Sequence, residues 1–249
     1  MEKNLNFLRK KIVTTAKKSR EGHIGSCLSI LDILWILYQD FYEKNNIIIL
    51  SKGHASLGLY TVLNEKKLIS DENLASFCQY SSALGGHPDK NKIKQAYAST
   101  GSLGHGFPIG VGAAIAKKIK NERGRVFVII GDGESNEGTI WESALLAKQH
   151  GLDNLTCIVD YNHSNDRSVK LGNIVEKFSS FGWNSWEING HNHCEIKDSL
   201  ERSNFSLSAI IANTVKGNGI KRMENQHEWH HKSPSDKEYE EIMKELSTS

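Results

Sequence analysis

Val126-Phe127-Val128-Ile129-Ile130-Gly131-Asp132-Gly133 decides the fold of this chain, because an apolar run ends there in an aspartate between two glycines. The segment from Leu155 to Asn162 repeats the pattern, and a helical stretch from Trp141 to His150 lies between the two. Each segment is typical of a buried parallel strand that leads into a polar loop. The carboxyl ends of neighbouring parallel strands meet at one crevice, where ligands bind. We therefore expect Asp132 and Asn162 to lie close together at one edge of a parallel sheet.

These two strand ends predict a magnesium site. Asp132 and Asn162 would offer a carboxylate and an amide oxygen, which are hard ligands that Mg²⁺ prefers, and phosphate oxygens would supply further ligands. The glycines beside Asp132 would let the backbone approach a diphosphate closely. A glycine-aspartate-glycine triplet alone is equally typical of a tight chain reversal. The second strand end, with its own oxygen ligand, favours the diphosphate site.

The alternation of apolar runs and amphipathic segments predicts the fold class. We expect strands at residues 47–50, 126–130, 155–159, 183–188 and 208–212. We expect helices at residues 2–19, 29–40, 55–65, 109–118, 141–150, 193–202 and 235–246. Such alternation indicates an α/β fold, a doubly wound and mostly parallel sheet with helices on both faces. With only three prolines and no break in composition, we expect a single domain over residues 1–249.

Composition narrows the classes of function and location. The net charge of +2 gives no electrostatic case for binding nucleic acid or an anionic membrane surface. The polar start of the chain predicts no signal peptide, and no apolar run approaches the length of a membrane span. The four cysteines stand apart from one another, which favours reduced thiols in a cytoplasmic protein over a disulfide scaffold or a zinc motif.

Short glycine- and histidine-bearing segments recur along the chain: Gly22-His23-Ile24-Gly25, Leu50-Ser51-Lys52-Gly53-His54-Ala55, Gly86-His87-Pro88, Ser99-Thr100-Gly101-Ser102-Leu103-Gly104, Gly131-Asp132-Gly133 with Asn162, and Thr214-Val215-Lys216-Gly217-Asn218-Gly219 with Trp229-His230. In this order they resemble the N-terminal, diphosphate-binding part of transketolase. The resemblance is closer still to the short N-terminal subunits of split transketolases, and it extends over essentially the whole chain. It implies the thiamine-diphosphate-binding fold.

The resemblance implies thiamine diphosphate as cofactor, together with a divalent cation, usually Mg²⁺, with Ca²⁺ or Mn²⁺ as alternatives. Matched position by position, it implies that Asp132, the side-chain oxygen of Asn162 and the backbone carbonyl of Ser164 ligate the metal.

It also implies the residues that contact the cofactor itself. The N–H of Gly133 would donate to the diphosphate. Gly101, Ser102 and Leu103 would line the cofactor at a helix N-terminus, where backbone donors and the helix dipole favour anionic groups.

Four histidines match family positions that face cofactor or substrate. The resemblance implies catalytic roles for His23, His87 and His230, and places His54 and His230 near the diphosphate. Imidazole suits these roles because it titrates near neutrality and exchanges protons with hydroxyl and carbonyl oxygens. An isolated histidine is more often a partly buried surface residue, but four in matching contexts reverse that judgement.

The other histidines carry weaker expectations. His227, His230 and His231 have zinc-like spacing, but no cysteine pair or acidic partner stands beside them at ligand spacing. Of the remaining five, His105 has no assigned role, and we expect four to lie at the surface or in loops: His150, His163, His191 and His193.

Glu137 matches a family glutamate at the subunit contact that helps to link two active sites. The alternative is an acid at a helix N-terminus, where it interacts favourably with the dipole, and both roles can hold together.

In the family, the glutamate that activates the cofactor and the arginines that bind sugar phosphates lie in a second domain. Residues 1–249 do not supply it, so we expect a C-terminal partner subunit that carries the pyrimidine-binding domain, in a heterotetramer with two copies of each chain. The expected reaction moves a two-carbon ketol unit from a ketose or ketose phosphate to an aldose or aldose phosphate. Two alternatives stay open: the corresponding subunit of another thiamine-diphosphate enzyme, such as a 2-oxo acid dehydrogenase, and a non-catalytic cofactor-binding chain.

Overall fold

A five-stranded parallel sheet forms the centre of the molecule in the computed structural model, which describes residues 5–165 and 169–248. Its strands are β1 (Ile47–Leu50), β2 (Val126–Gly131), β3 (Leu155–Tyr161), β4 (Asn184–Asn189) and β5 (Ser208–Asn213). The spatial order is β1-β2-β3-β5-β4, and every pairing is parallel. The predicted neighbours β2 and β3 pair directly, and Gly131 lies level with Asp160. The predicted α/β fold class is therefore confirmed.

The helices precede, connect and follow the strands. They are α1 (Asn6–Ser19), α2 (Ile24–Ser29), α3 (Leu31–Asp40), α4 (Ser56–Glu65), α5 (Asp71–Ala75), α6 (Gly106–Ile119), α7 (Gly138–Gln149), α8 (Ile174–Ser180), α9 (His193–Arg202) and α10 (Asp236–Thr248). The predicted start of the first helix at residue 2 lies outside the described residues. Within residues 5–165 and 169–248, no helix combines the length and the apolar character needed to cross a membrane.

Two apolar cores lie on opposite faces of the sheet. Alternate residues of β2 divide between them: Phe127 and Ile129 pack with α1 to α4, α9 and α10, whereas Val126, Val128 and Ile130 pack with α6 to α8. Every residue of β2 is buried. A strand covered on both faces carries a continuous apolar run instead of an alternating one, which explains the opening sequence pattern.

The structure differs from the sequence prediction at residues 29–40. The predicted helix corresponds to α3, and Ile30 (φ −101°, ψ 1°) separates it from α2, a short helix that was not predicted. The hydroxyl of Ser29, at the end of α2, donates to the carboxylate of Asp160 at 2.7 Å. The break therefore leaves Ser29 bonded to the third strand of the sheet.

Two further short helices, α5 and α8, were not predicted either. The hydroxyl oxygen of Ser70 accepts the N–H of Asn73 at 3.1 Å, and the side chain of Asn173 accepts the N–H of Glu176 at 3.1 Å. Side-chain caps of this kind begin helices too short to show an apolar period.

Candidate active site

A cleft of about 400 Å³ opens where β2 and β3 end. Ten of the residues predicted from the sequence line it: His23, His54, His87, Gly101, Leu103, Asp132, Gly133, Asn162, Ser164 and His230. Five more, without a predicted role, line the same cleft: Ser26, Lys52, Gly131, Glu134 and Lys216. Segments separated by more than 200 residues in sequence therefore meet at the carboxyl edge of the sheet, as the parallel topology requires.

Asp132 follows β2 and is buried at the cleft. Its Oδ1 accepts the N–H of Gly133 at 2.7 Å, and its Oδ2 accepts the N–H of Asn165 at 3.3 Å. Burial, with the nearby charge of Asp160, raises the pKa of the Asp132 carboxyl above its usual value. A carboxylate oxygen has two lone pairs, so each can accept an N–H and still ligate a metal. A cation here would offset the desolvation and the repulsion that raise this pKa.

The amide of Asn162 is held in one orientation. Its Nδ2 donates to Asp160 at 2.9 Å, while its Oδ1 accepts the N–H of Ser164 at 3.1 Å and also contacts the Ser164 hydroxyl. The oxygen thus lies on the side of Ser164, in the cleft that Asp132 also lines. Across residues 5–165 and 169–248, no three His, Cys, Asp or Glu side chains are grouped to hold a metal. A metal in the cleft would therefore need amide or backbone oxygens as well as Asp132.

A buried ion pair lies behind the metal-ligand candidates. The ammonium of Lys52, just after β1, contacts the carboxylate of Asp160 in β3, and both side chains are almost fully buried. Asp160 also accepts the hydroxyls of Ser29 and Thr214. Burial alone would raise the pKa of Asp160, but Lys52 and these hydrogen bonds outweigh it and lower that pKa. Asp160 in an apolar strand was the sequence signal for such a pair, because a buried charge needs a partner.

Glu134 joins two glycine-bearing loops. Its buried carboxylate accepts the N–H of Gly104 at 2.8 Å and the N–H of Gly131 at 3.2 Å, as well as the hydroxyl of Ser51. Burial raises the pKa of Glu134. The contact ties the loop before α6 to the end of β2.

The backbone conformation of Gly101 and the close approach of His87 both require glycine at this position. Its φ is +143°, and a Cβ at this position would stand 3.0 Å from ring atoms of His87. The first turn of α6 begins later, at Gly106, so residues 101–103 form the approach to that helix instead of the N-terminus that the sequence predicted. Ser102 is exposed, and its Oγ lies 3.2 Å from Nδ1 of His105 rather than among the residues that line the cleft.

The histidines of the cleft form a cluster. The ring centroid of His23 lies 5.2 Å from that of His54 and 5.4 Å from that of His230. Burial, followed by the neighbouring histidines, lowers the pKa of His23 to about 4. Burial and Lys52 lower the pKa of His54 to about 2. These imidazoles are therefore neutral near pH 7, and each can donate one hydrogen bond and accept another.

Lys216 brings a second cation into the cleft. It is buried, and its Nζ donates to Nδ1 of His230 at 2.6 Å. Burial and the charge of Lys52 lower the pKa of Lys216, and burial and Lys216 lower the pKa of His230. The sequence placed Lys216 in a matched segment but assigned it no role, since lysine is most often a surface residue.

Glu137 lies outside the cleft. It is exposed and directly precedes α7, as a helix N-terminal acid would. His191 and His193, expected at the surface or in loops, instead contact a buried carboxylate with side chains only 17% and 11% exposed. The loop expected for His191 is confirmed, since it lies in the turn between β4 and α9, whereas His193 is the first residue of that helix. The sequence shows no sign of their distant shared partner.

The model of the transketolase family, described as "Transketolase, thiamine diphosphate binding domain", matches residues 1–248. The chain belongs to this family. The family and the thiamine-diphosphate-binding fold predicted from the sequence are both confirmed.

Relatives that are named as subunits of transketolases match the chain over nearly their whole length. A subunit of apulose-4-phosphate transketolase from Phocaeicola vulgatus is 35% identical, over 96% of this chain and 91% of that protein. The protein of the same name from Actinobacillus succinogenes is 37% identical, over 99% of this chain and 95% of that protein. These relatives confirm the predicted kind of protein, one chain of a split transketolase-type transferase.

Solved transketolase structures have the same fold. The transketolase of Campylobacter jejuni superposes with a TM-score of 0.86 at 30% identity, over 98% of this chain and 41% of that one. The present chain thus corresponds to about two-fifths of the length of that transketolase.

Proposed function

We propose that this chain is the diphosphate-binding subunit of a two-chain transketolase. It acts with its partner to move a two-carbon ketol unit from a ketose or ketose phosphate to an aldose or aldose phosphate. The observation that carries the proposal is the content of one cleft, where a carboxylate, an amide oxygen, glycine amides and a cluster of neutral imidazoles line the same 400 Å³. Diphosphate binding and proton exchange need these groups side by side.

The donor set fits thiamine diphosphate with Mg²⁺, or with Ca²⁺ or Mn²⁺ in its place. A Cβ at Gly133 would meet no atom within 4 Å, so there is open space beside the backbone for a diphosphate oxygen. Lys52 and Lys216 bring positive charge to the cleft. Asp132 and Asn162 offer the hard oxygens that a divalent cation needs. When bound, thiamine diphosphate supplies the nucleophile and the electron sink of ketol transfer.

Each part of the site has a separate role in this proposal. Asp132, the oxygen of Asn162 and the backbone carbonyl of Ser164 hold the metal. The cofactor binds against Gly101, Ser102, Leu103, Gly133, His54 and His230, and also against Asn162.

His23, His87 and His230 exchange protons with the hydroxyl and carbonyl oxygens of the sugar. The neutral state of His23 supports this role, because a neutral imidazole can take up a proton from a hydroxyl and return it.

The partner supplies the pyrimidine-binding domain. We place Glu137 at the contact between subunits, in an assembly of two copies of each chain. Exposed apolar side chains on α6 and α7 support a contact in this region, among them Ile109, Leu145 and Leu146. We further propose that residues 1–249 form one domain and that the protein is cytoplasmic, in keeping with its four free cysteines.

Partner dependence tests the proposal. The purified chain is mixed with thiamine diphosphate, Mg²⁺ and a ketose–aldose pair, with and without a chain that carries the pyrimidine-binding and C-terminal domains. Transfer should occur only in the complete mixture, and a complete mixture with the Asp132→Ala variant should give none. Substantial transfer by this chain alone would refute the two-chain proposal, while cofactor binding without transfer in the complete mixture would favour a non-catalytic role.

A further inference from the structure

A buried carboxylate outside the cleft joins distant parts of the chain. Oδ2 of Asp32, in the first turn of α3, accepts Nδ1 of His191 at 2.9 Å, and Oδ1 accepts Nε2 of His193 at 2.8 Å. The guanidinium of Arg9 in α1 lies 3.7 Å from Oδ2. Burial would raise the pKa of Asp32, but the two imidazole hydrogen bonds and Arg9 outweigh it and lower that pKa to about 2. The carboxylate is therefore ionised at neutral pH.

His191 also accepts a hydrogen bond from the backbone beside the cleft. Its second ring nitrogen, Nε2, accepts the N–H of Val215 at 2.8 Å. An ionised carboxylate can only accept hydrogen bonds, so Nδ1 carries the proton and Nε2 presents a lone pair. The imidazole thus links Asp32 to the backbone immediately before Lys216.

The same carboxylate also holds the backbone that follows Lys216. Nδ2 of Asn218 donates to Oδ2 of Asp32 at 3.4 Å, and Nε of Arg9 donates to the backbone oxygen of Asn218 at 3.1 Å. Val215 and Asn218 flank Lys216 and Gly217. Contacts that converge on one buried carboxylate therefore hold the backbone on both sides of Lys216.

The position of Lys216 is tightly set by its surroundings. Its side chain crosses Gly25, where a Cβ would stand 3.2 Å from Cγ of the lysine, and the N–H of Gly217 donates to the backbone oxygen of Gly25 at 3.0 Å. The ammonium then reaches Nδ1 of His230 inside the cleft. Burying a cation costs free energy, and the extent to which it stabilises an anionic ligand depends on the position of its charge.

We propose that His191 and Asp32 are positioning residues for Lys216. They hold the segment from Val215 to Asn218 so that the lysine ammonium stands in the cleft, ready for an anionic group of the bound cofactor. The inference rests on the proposed function, because the anion in question is the diphosphate.

Two substitutions of His191 separate its two contacts. His191→Asn keeps a donor near the place of Nδ1 but has no atom at the place of Nε2, so the Val215 contact is lost. His191→Gln can offer an amide oxygen near the place of Nε2 and retain that contact. The dissociation constant for thiamine diphosphate at fixed Mg²⁺ is measured by calorimetry. We expect about a tenfold increase for His191→Asn, the effect of one lost hydrogen bond, and a smaller increase of about threefold for His191→Gln, which keeps the Val215 contact without its anchor at Asp32.

A control variant and a double mutant test whether His191 affects cofactor binding through Lys216. His193 touches Asp32 but not the segment that carries the lysine, so His193→Asn should leave the dissociation constant within about twofold even if it lowers stability. Lys216→Met should itself weaken binding. In that background, His191→Asn should add less than about a twofold effect, because the group that it positions is gone. Amide hydrogen exchange should quicken at Val215 in His191→Asn only.

The outcomes separate this inference from the proposed function. If the wild-type chain binds no thiamine diphosphate with Mg²⁺, even with its partner, the proposed function fails. If the wild-type chain binds and His191→Asn binds equally well, the positioning role is wrong. The role is also wrong if His191→Asn still raises the dissociation constant tenfold in the Lys216→Met background. Should His191→Asn not fold, Arg9→Lys removes the contact to Asn218. It should weaken binding by about threefold, and unchanged binding would again overturn the proposal.

Discussion

Replacing Asp160 by asparagine should destabilise the protein strongly. Asp160 is fully buried, and its carboxylate is the partner of the buried ammonium of Lys52. Removing one member of a buried ion pair costs about 3–5 kcal/mol, because the other charge is left without compensation. In a protein of this size, 1 kcal/mol shifts the melting temperature by about 2–4 °C, so the shift should be roughly 6–20 °C. Calorimetric melting and urea denaturation of the purified variant measure it.

The double variant Asp160→Asn, Lys52→Met shows whether the stranded charge is the cause. It should be more stable than Asp160→Asn alone by about 2 kcal/mol or more, because no unpaired ammonium remains. Asp153→Asn is the matched control at an exposed ion pair with Lys118, where the change should stay within about 0.5 kcal/mol. A loss below about 1 kcal/mol in Asp160→Asn, or a double variant less stable than the single one, would refute the reasoning.

Further predictions concern the cleft itself. Asp132→Ala should abolish Mg²⁺-dependent binding of thiamine diphosphate in calorimetry while its circular dichroism spectrum stays unchanged; full binding at limiting Mg²⁺ would contradict the metal assignment. Single alanine variants of His23, His87 and His230 should lower turnover of the reconstituted enzyme by about two to four orders of magnitude, whereas wild-type kinetics would point to structural roles. Stability should fall as the pH drops from about 6.5 towards 4, because burial lowers the folded-state pKa of His23 and His54 and the unfolded chain binds protons first. Denaturation midpoints at successive pH values should show a shallower fall in His23→Gln; an identical slope would argue against this source.

The central strands β2 and β3 were predictable from sequence because burial on both faces of the sheet leaves an unbroken apolar run. The runs at residues 126–130 and 155–159 predicted β2 and β3 to within two residues, and the polar residues after them predicted where the cleft would form. The sequence does not show that β5 lies between β3 and β4 in the sheet, because both strands connect through helices of ordinary length.

The cleft was predictable where a motif carried it and not where a long-range contact did. His23, His54 and Asp132 stand in segments whose resemblance to the family suggested roles. Lys52 and His191 were missed because their partners lie more than 100 residues away in sequence. Nothing near either residue indicates that it is buried, and lysine is mostly exposed in proteins while histidine is intermediate.

The contact between α1 and α10 has a consequence for the timing of folding. The hydroxyl of Thr14 lies 3.0 Å from that of Tyr239, across 225 positions of sequence, and Ile242 and Leu246 of α10 are buried. At synthesis rates of about 5–20 residues per second, roughly 10–45 s separate the appearance of these two helices at the ribosome. During that interval α1 lacks one of its packing partners. A nascent chain that pauses before α10 should thus be more prone to aggregation than one released whole.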